Sequence, residues 1–164
     1  MDFYKFNLRD WWPDLMIVTF QDDQVQKWVA DQLPYVDEFG PSTSCAAISK
    51  EGKMIAGFVF HEYRPNLKTV QISMASINPM WARRENIHQV LSYPFEQLQV
   101  FKLWIATMHT NEKMLKAASH IGFRKEAILA HQYGIKRHAV IMRMLQPDYM
   151  RLFGGCYEKQ AICA

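Results

Sequence analysis

Two apolar stretches on either side of a helix-like segment decide the fold of this chain. Residues 69–77 read TVQISMASI and carry a strand signal, and residues 100–108 read VFKLWIATM, an almost unbroken apolar run that predicts a strand buried on both faces. Between them, apolar residues recur at helical spacing from Ile87 to Leu98, and Pro94 is expected to kink or shorten that helix. A strand, a helix and a second strand form a right-handed crossover, so the two strands are predicted to be parallel.

Upstream of this unit the sequence predicts an antiparallel hairpin. Strand-like segments at residues 45–49 and 54–63 flank the short turn Glu51-Gly52-Lys53. The turn at residues 64–67 then leads into the strand at 69–77, which is therefore expected to lie antiparallel beside the hairpin.

Downstream, residues 111–121 predict a helix that begins at the N-cap Asn111 and stops at Gly122. Strand candidates at 124–131 and 136–145 flank the turn Tyr133-Gly134 and close the fold as a second hairpin. The fold class is therefore α/β (α+β), a mixed, mostly antiparallel sheet with a central parallel βαβ unit flanked by helices. We expect one domain over residues 1–145 and a C-terminal tail over 146–164, with a short helix near 148–153.

Composition narrows the class of function. The chain has 164 residues, is 49% hydrophobic and has a net charge of +3 spread along its length, which favours one domain and makes nucleic acid an unlikely partner. Neither a membrane-spanning run nor a signal peptide is recognisable, so a soluble, cytoplasmic protein is expected. The scattered cysteines Cys45, Cys156 and Cys163 predict free thiols and no metal site.

The order of these elements resembles that of the GNAT superfamily of N-acetyltransferases, over about residues 44–145. The segment Ile77-Asn78-Pro79 looks like the strand end before that family's pyrophosphate loop, and Asn111 stands eleven residues before Gly122-Phe123, as in its Asn…Gly-Phe segment. The stretch from Gly57 to Phe95 is similar to a branch common in phages and prophages. The resemblance implies acetyl-CoA as co-substrate, an amine acceptor, and a possible homodimer or a phage or host protein partner.

The family's pyrophosphate loop is degenerate in this sequence. Its pattern Gln/Arg-x-x-Gly-x-Gly/Ala falls here on Arg83, Arg84, Glu85, Asn86, Ile87 and His88, so both glycine positions are lost. Asn86 tolerates left-handed backbone, whereas His88 adds bulk. The two arginines either contact phosphate directly or are simply solvated.

Three further cofactor contacts are implied by the resemblance. A splay of strands beside the loop would leave main-chain groups near Ser76 and Ile77 free for the pantetheine arm. Asn111 would contact the pantetheine or its carbonyl region, although an N-cap role explains this residue equally well.

The expected chemistry lacks one familiar group. The tyrosine that serves as acid in much of the family is replaced by Ala118. His61, beside Glu62, is the candidate catalytic base, and its alternative role is that of a partly buried histidine bonded to a backbone carbonyl. Trp81 and Tyr63 either wall a substrate groove or pack the core and its rim.

Two main functions remain open from the sequence. The first is an acetyl-CoA-dependent N-acyltransferase, which Arg83, Arg84 and Asn111 favour. The second is a binding or structural protein of phage type with weak or no catalysis, which the lost glycines and tyrosine favour. A role in nucleic-acid modification is a third reading, supported only by the small positive charge.

Overall fold

A parallel pair of strands lies at the centre of one mixed sheet. The computed structural model describes residues 15–19, 21–49 and 51–154. In these residues the sheet has seven strands in the order β1-β2-β3-β4-β5-β7-β6, in which only β4 and β5 are parallel. The strands are β1 (Leu15–Val18), β2 (Thr43–Ser49), β3 (Met54–Arg64), β4 (Thr69–Ser76), β5 (Lys102–Met108), β6 (Arg124–Leu129) and β7 (Ala139–Leu145).

Helices cover both faces of the sheet. They are α1 (Asp22–Gln32), α2 (Arg84–Ser92), α3 (Glu112–Ile121) and α4 (Gln146–Phe153). The predicted mixed sheet, with its antiparallel hairpins and its parallel βαβ unit, is confirmed. The predicted helix over 87–98 is divided: α2 ends at Ser92, and a π-helical turn containing Pro94 continues to Gln97. Proline has no N–H to donate, so the regular helical ladder is interrupted there.

Strand β5 differs from its prediction. Its side chains alternate between full and partial burial, with Leu103 and Ile105 in the main core and Trp104 and Ala106 bordering an open cleft. The prediction that both faces are buried is therefore wrong. An apolar run does not distinguish a strand covered on both sides from one whose second face forms the apolar wall of a cleft.

Strand β1 and helix α1 are absent from the sequence prediction. Strand β1 pairs with the edge of β2, and α1 packs on the sheet face opposite to α2. Only Val25 and Val29 of α1 are fully buried, so its apolar stripe is narrow and easily overlooked.

The C-terminal helix completes the main core. Tyr149 and Phe153 of α4 are buried among residues of β5, β7 and α2. The boundary at residue 145 stays a prediction, and residues 155–164, with Cys156 and Cys163, lie outside the described part. None of the helices described here has the length and apolarity needed to cross a membrane.

Gly57 sets the distance between α1 and the sheet. A Cβ atom at this position of β3 would lie 2.5 Å from Cγ2 of Val29 and 3.3 Å from Trp28 and Val25 side-chain atoms. Real Cβ atoms do not approach that closely, and the β-branched Val29 has few rotamers with which to yield.

We expect Gly57→Ala to lower the free energy of unfolding by about 1–3 kcal/mol, because it overpacks this contact. Chemical denaturation of Gly57→Ala, Val29→Ala and the double variant measures the coupling between the two positions. In the double variant the shortened side chain at position 29 leaves room for the added methyl group. Gly57→Ala should therefore lower the free energy of unfolding less in that background than in the wild type. Strictly additive losses would contradict the proposed close contact.

Candidate functional site

The site is organised by a gap between β4 and β5. Their pairing runs from Thr69↔Lys102 to Gln71↔Trp104, and within the described residues it goes no further although both strands continue. On the other side of β4, the Ile77 N–H donates to the Ile55 carbonyl at 2.9 Å. Hydrogen-bonded and non-hydrogen-bonded residues alternate in an antiparallel pair, so the main-chain groups of Ser76 and Met74 point towards the gap.

Ser76 and Ile77, which the sequence analysis treated alike, differ in the direction of their main-chain groups. The main chain of Ser76 faces the gap, whereas the N–H of Ile77 is already used within the sheet. Their role towards a ligand stays a prediction.

A cleft of about 740 Å³ lies on the α1 face of the sheet, beside the gap. Its floor includes Gln71 and Ser73 of β4 and Trp104 of β5. Its walls come from the α1–β2 loop, residues 33–41, and from the β6–β7 loop, residues 130–138. The cleft therefore combines the central strands with two loops from distant parts of the chain.

The two loops meet above the cleft. The rings of Tyr35 and Tyr133 stack with centroids 5.6 Å apart, and Arg137 Nη1 donates a hydrogen bond to the Tyr35 hydroxyl at 2.7 Å. Because β4 and β5 lie between the strands that carry these loops, the contact forms a bridge over the gap. We call it the tyrosine bridge. Burial raises the pKa of Tyr133, so its phenol keeps its proton at neutral pH.

Imidazole groups order the β6–β7 loop. The His131 N–H donates to Nδ1 of His138 at 3.0 Å, and the Lys136 N–H donates to Nδ1 of His131 at 2.9 Å. A backbone N–H can only donate, so both acceptor nitrogens must be unprotonated. This loop is thus fixed by side-chain acceptors even though most of it is exposed.

An apolar slot lies on the opposite face of the sheet, between α2 and α3. It has a volume of about 30 Å³ and is lined by side chains that include Met74, Ile87, Met114 and Ala118. Trp81 also lines it and packs edge-on against Phe58, with centroids 4.9 Å apart. Trp81 is therefore a buried core residue, whereas Tyr63 is exposed at the mouth of a separate cavity.

His61 lies in the cleft with a defined partner. Its Nε2 is 2.9 Å from the Ser73 hydroxyl oxygen, and its ring packs on Phe39 with centroids 5.1 Å apart. Burial lowers the pKa of His61, and the negative charge of Glu62 opposes this effect. The imidazole is consequently neutral at neutral pH and can accept a proton. Its partner is a hydroxyl group and not the backbone carbonyl considered from the sequence.

Asn111 combines both roles that its sequence position suggested. Its Oδ1 accepts a hydrogen bond from the Met114 N–H at 3.2 Å, which caps α3, and the residue also lines the cleft. The cap fixes the side chain at the end of β5. Its contact with a cofactor stays a prediction.

The side chains between Arg83 and His88 point in different directions. Helix α2 begins at Arg84, and Arg83 is its exposed N-cap residue without a capping side-chain hydrogen bond. Arg84 donates to the Leu152 carbonyl and lies over the Phe153 ring at 4.9 Å. His88 stacks on the same ring at 5.4 Å. These two side chains hold α4 in place.

Asn86 and Ile87 occupy ordinary helical positions. Asn86 does not have a positive φ, so the left-handed backbone considered from the sequence does not occur here. Ile87 contributes its side chain to the apolar slot. Among the contacts described, the Arg83 side chain forms no ion pair. Its positive charge therefore remains exposed at the start of α2.

Several cleft residues escaped the sequence analysis. Gln71 and Ser73 alternate with the buried Val70 and Ile72 along β4, and this period of two was a usable signal for a polar strand face. No comparable pattern marks Tyr35 or Tyr133, because loop residues lack periodicity.

The lowered pKa of His61 predicts how the stability of the protein depends on pH. Its folded-state pKa lies below the ordinary value of 6.5, so the unfolded chain binds more protons as the pH falls below that value. The stabilisation is present above pH 6.5 and is lost as the pH falls towards the folded-state pKa. We therefore expect the free energy of unfolding to fall less steeply between pH 7 and pH 5 in His61→Gln than in the wild type.

Denaturant titrations at several pH values measure this difference. His120→Gln, which removes an exposed histidine of α3, is measured in parallel as the matched control for the loss of one imidazole. Parallel curves for His61→Gln and wild type would show that burial does not shift this group.

Comparisons with known proteins identify the fold. No family model matches the sequence, and no curated protein matches it. Among solved structures, a dodecameric spermidine N-acetyltransferase from Vibrio cholerae superposes with a TM-score of 0.69 at 13% identity, covering 84% of this chain and 96% of that one. A chimera of the Vibrio cholerae enzyme and hSSAT gives 0.68 at 14% identity, covering 84% and 99%.

A third structure, the Vibrio cholerae enzyme in complex with manganese ions, gives a TM-score of 0.68 at 13% identity over 84% of this chain and 96% of that one. Identities this low carry no information about substrate. The shared architecture nevertheless establishes that this chain has the fold of the GNAT N-acetyltransferases.

Proposed function

We propose that this protein is an acetyl-CoA-dependent N-acetyltransferase that transfers an acetyl group to an amine. The observation that carries the proposal is the gap between β4 and β5, with the main chain of Met74 and Ser76 turned towards it. The gap lies beside a cleft that contains a neutral histidine, and the N-terminus of α2 follows β4. A long amide-containing thioester fits such a gap, since its amide groups supply the hydrogen-bond partners that a neighbouring strand would offer.

The start of α2 suits the pyrophosphate of the cofactor. The first N–H groups of a helix have no internal partner and carry partial positive charge. No side chain caps them here, and Arg83 adds a full positive charge beside them. Arg84 contributes less than the sequence suggested, because its guanidinium is bound to α4.

The cleft supplies a base for the acceptor. An alkyl amine with a pKa near ~10.4 is mostly protonated at neutral pH, so it must lose a proton before it can attack the acetyl carbon. His61 lies in the cleft with its Nε2 next to Ser73 and can take that proton when the amine lies beside it. The neutral amine then attacks the acetyl carbon, the new C–N bond forms and the C–S bond of the thioester breaks, while the nitrogen loses its second proton to water.

Helix α3 provides no phenol that could protonate the departing thiolate. Ala118 is fully buried in the apolar slot and has no proton to give. The thiolate must therefore be protonated by water or by a group in the cleft. The loss of general-acid assistance corresponds to about a hundredfold to ten-thousandfold in rate, ~3 to 5 kcal/mol.

Binding of acetyl-CoA is the first test. At one hundred times its Kd the ligand should raise the free energy of unfolding by ~2.7 kcal/mol, which thermal denaturation detects. Arg83→Ala should weaken binding, measured by calorimetric titration, while leaving the stability of the free protein unchanged. Arg84→Ala is the matched comparison: it should lower stability through the lost contacts with Leu152 and Phe153 but affect binding less.

An absence of coenzyme A affinity at millimolar ligand would refute the proposal. Equal losses of acetyl-CoA affinity in Arg83→Ala and Arg84→Ala would contradict the expectation that Arg83 contributes more to binding than Arg84.

Turnover is the second test. Release of coenzyme A with a panel of amines should be slow, should increase with pH, and should fall by about tenfold to a thousandfold in His61→Ala. Fast turnover that this substitution leaves unchanged would mean that another group is the base. Tight acetyl-CoA binding without any turnover would favour the alternative function, a binding protein built on the same fold.

We also propose that the protein acts in the cytoplasm and has a phage-type origin. Its partner would be a second copy of the chain, or a phage or host protein. The fold itself is compatible with each of them.

A further inference from the structure

The charge of the cleft is opposite to that of the chain as a whole. The protein has a net charge of +3, yet the charged side chains that line the cleft in the described residues are the carboxylates Asp37, Glu38 and Glu62, with neither lysine nor arginine. Glu62 is partly offset by Arg64, whose Nη2 lies 3.6 Å away outside the lining. His61 is neutral at neutral pH because burial lowers its pKa, so it adds no positive charge.

The uncharged part of the cleft also suits a cation. Phe39, Trp104 and Tyr133 present aromatic surface along its walls and floor. Aromatic faces attract alkylammonium groups and pack well on methylene chains. Asp37 and Glu38 of the α1–β2 loop form an acidic wall that is separate from His61, which lies towards the floor with Ser73. Glu62, by contrast, adjoins His61 and acts on its pKa.

We propose that the acceptor is a small, flexible alkyl amine with a second positive charge: one amine is deprotonated at His61 while the other ammonium group is held by the acidic wall. This inference rests on the proposed acetyl transfer, but the recognition of the dication is measurable separately. Anionic and zwitterionic amines are disfavoured, because their carboxylate would face Asp37, Glu38 and Glu62.

The tyrosine bridge favours a small acceptor over a folded protein. Tyr35 and Tyr133 stack across the cleft, and Arg137 fastens Tyr35 to the β6–β7 loop. A thin alkyl chain passes beneath such a bridge, whereas a side chain on a folded surface is kept away by its own backbone. A lysine-containing peptide is therefore expected to be a poor acceptor.

Three amines of equal chain length test the charge requirement: 1,5-diaminopentane, pentylamine and 5-aminopentanoate. Coenzyme A release at low ionic strength should give a kcat/KM for the diamine at least about tenfold above that for pentylamine, and higher still relative to the zwitterion. Added salt should narrow the difference, because exposed charges are screened within about 8–10 Å. Equal values for the three amines, or a higher value for a lysine peptide than for the diamine, would overturn the inference.

The acidic wall is tested by the double variant Asp37→Asn, Glu38→Gln, which keeps Glu62 and its effect on the pKa of His61. Both residues are exposed, so the fold should be retained, and kcat/KM for the diamine should fall about tenfold while that for pentylamine changes less than about threefold. Asp23→Asn, an exposed carboxylate of α1 that is not in the lining, should behave as wild type. A similar loss for both amines would contradict a specific role of the wall.

A calorimetric titration separates this inference from the proposed function. If no amine is acetylated, the proposed function fails, but 1,5-diaminopentane should still bind wild type more tightly than the double variant, by about tenfold. Turnover without any preference for the diamine would leave the proposed function standing and refute the acceptor class. Equal diamine affinity for wild type and double variant would refute it as well.

Discussion

The three residue pairs that join β4 to β5 are the constraint on which the site depends. They connect strands β1–β4 to strands β5–β7, and they are the only parallel pairs in the described sheet. If the pairing ended earlier, the two parts of the sheet would lose their ladder. If it continued to the ends of both strands, the gap would be closed. The fold thus balances cohesion of the sheet against an opening in its middle.

Side chains at the start of α2 hold the C-terminal helix α4 in place. Arg84 and His88 of α2 contact α4, chiefly through Phe153. Their bulk therefore serves the packing of one helix against another. Arg83 makes neither of these contacts and stays exposed at the N-terminus of α2.

Much of the fold could be predicted from the sequence, because its elements have strong local signals. The turn Glu51-Gly52-Lys53, the cap at Asn111 and the left-handed Gly122 each end or begin an element where expected. Helix α1 was missed because its buried surface is reduced to Val25, Val29 and their neighbours, and its packing depends on Gly57, which is distant in sequence. Likewise, no local rule reveals that Arg84 reaches Leu152, or that Tyr35 meets Tyr133. These contacts exist only after the chain has folded.

The gap in the sheet has a consequence for how widely sequences with this fold can differ. Its hydrogen-bonding groups at Met74 and Ser76 belong to the main chain, which every amino acid other than proline supplies in the same form. Substitutions along β4 can change the side chains while these groups persist, provided that the strand keeps its direction. A molecule lying in the gap would take the place of a strand, and the sheet would recognise it by spacing and direction. Sequences of 13–14% identity can then share one fold, because the main-chain groups along this opening do not depend on which side chains β4 carries.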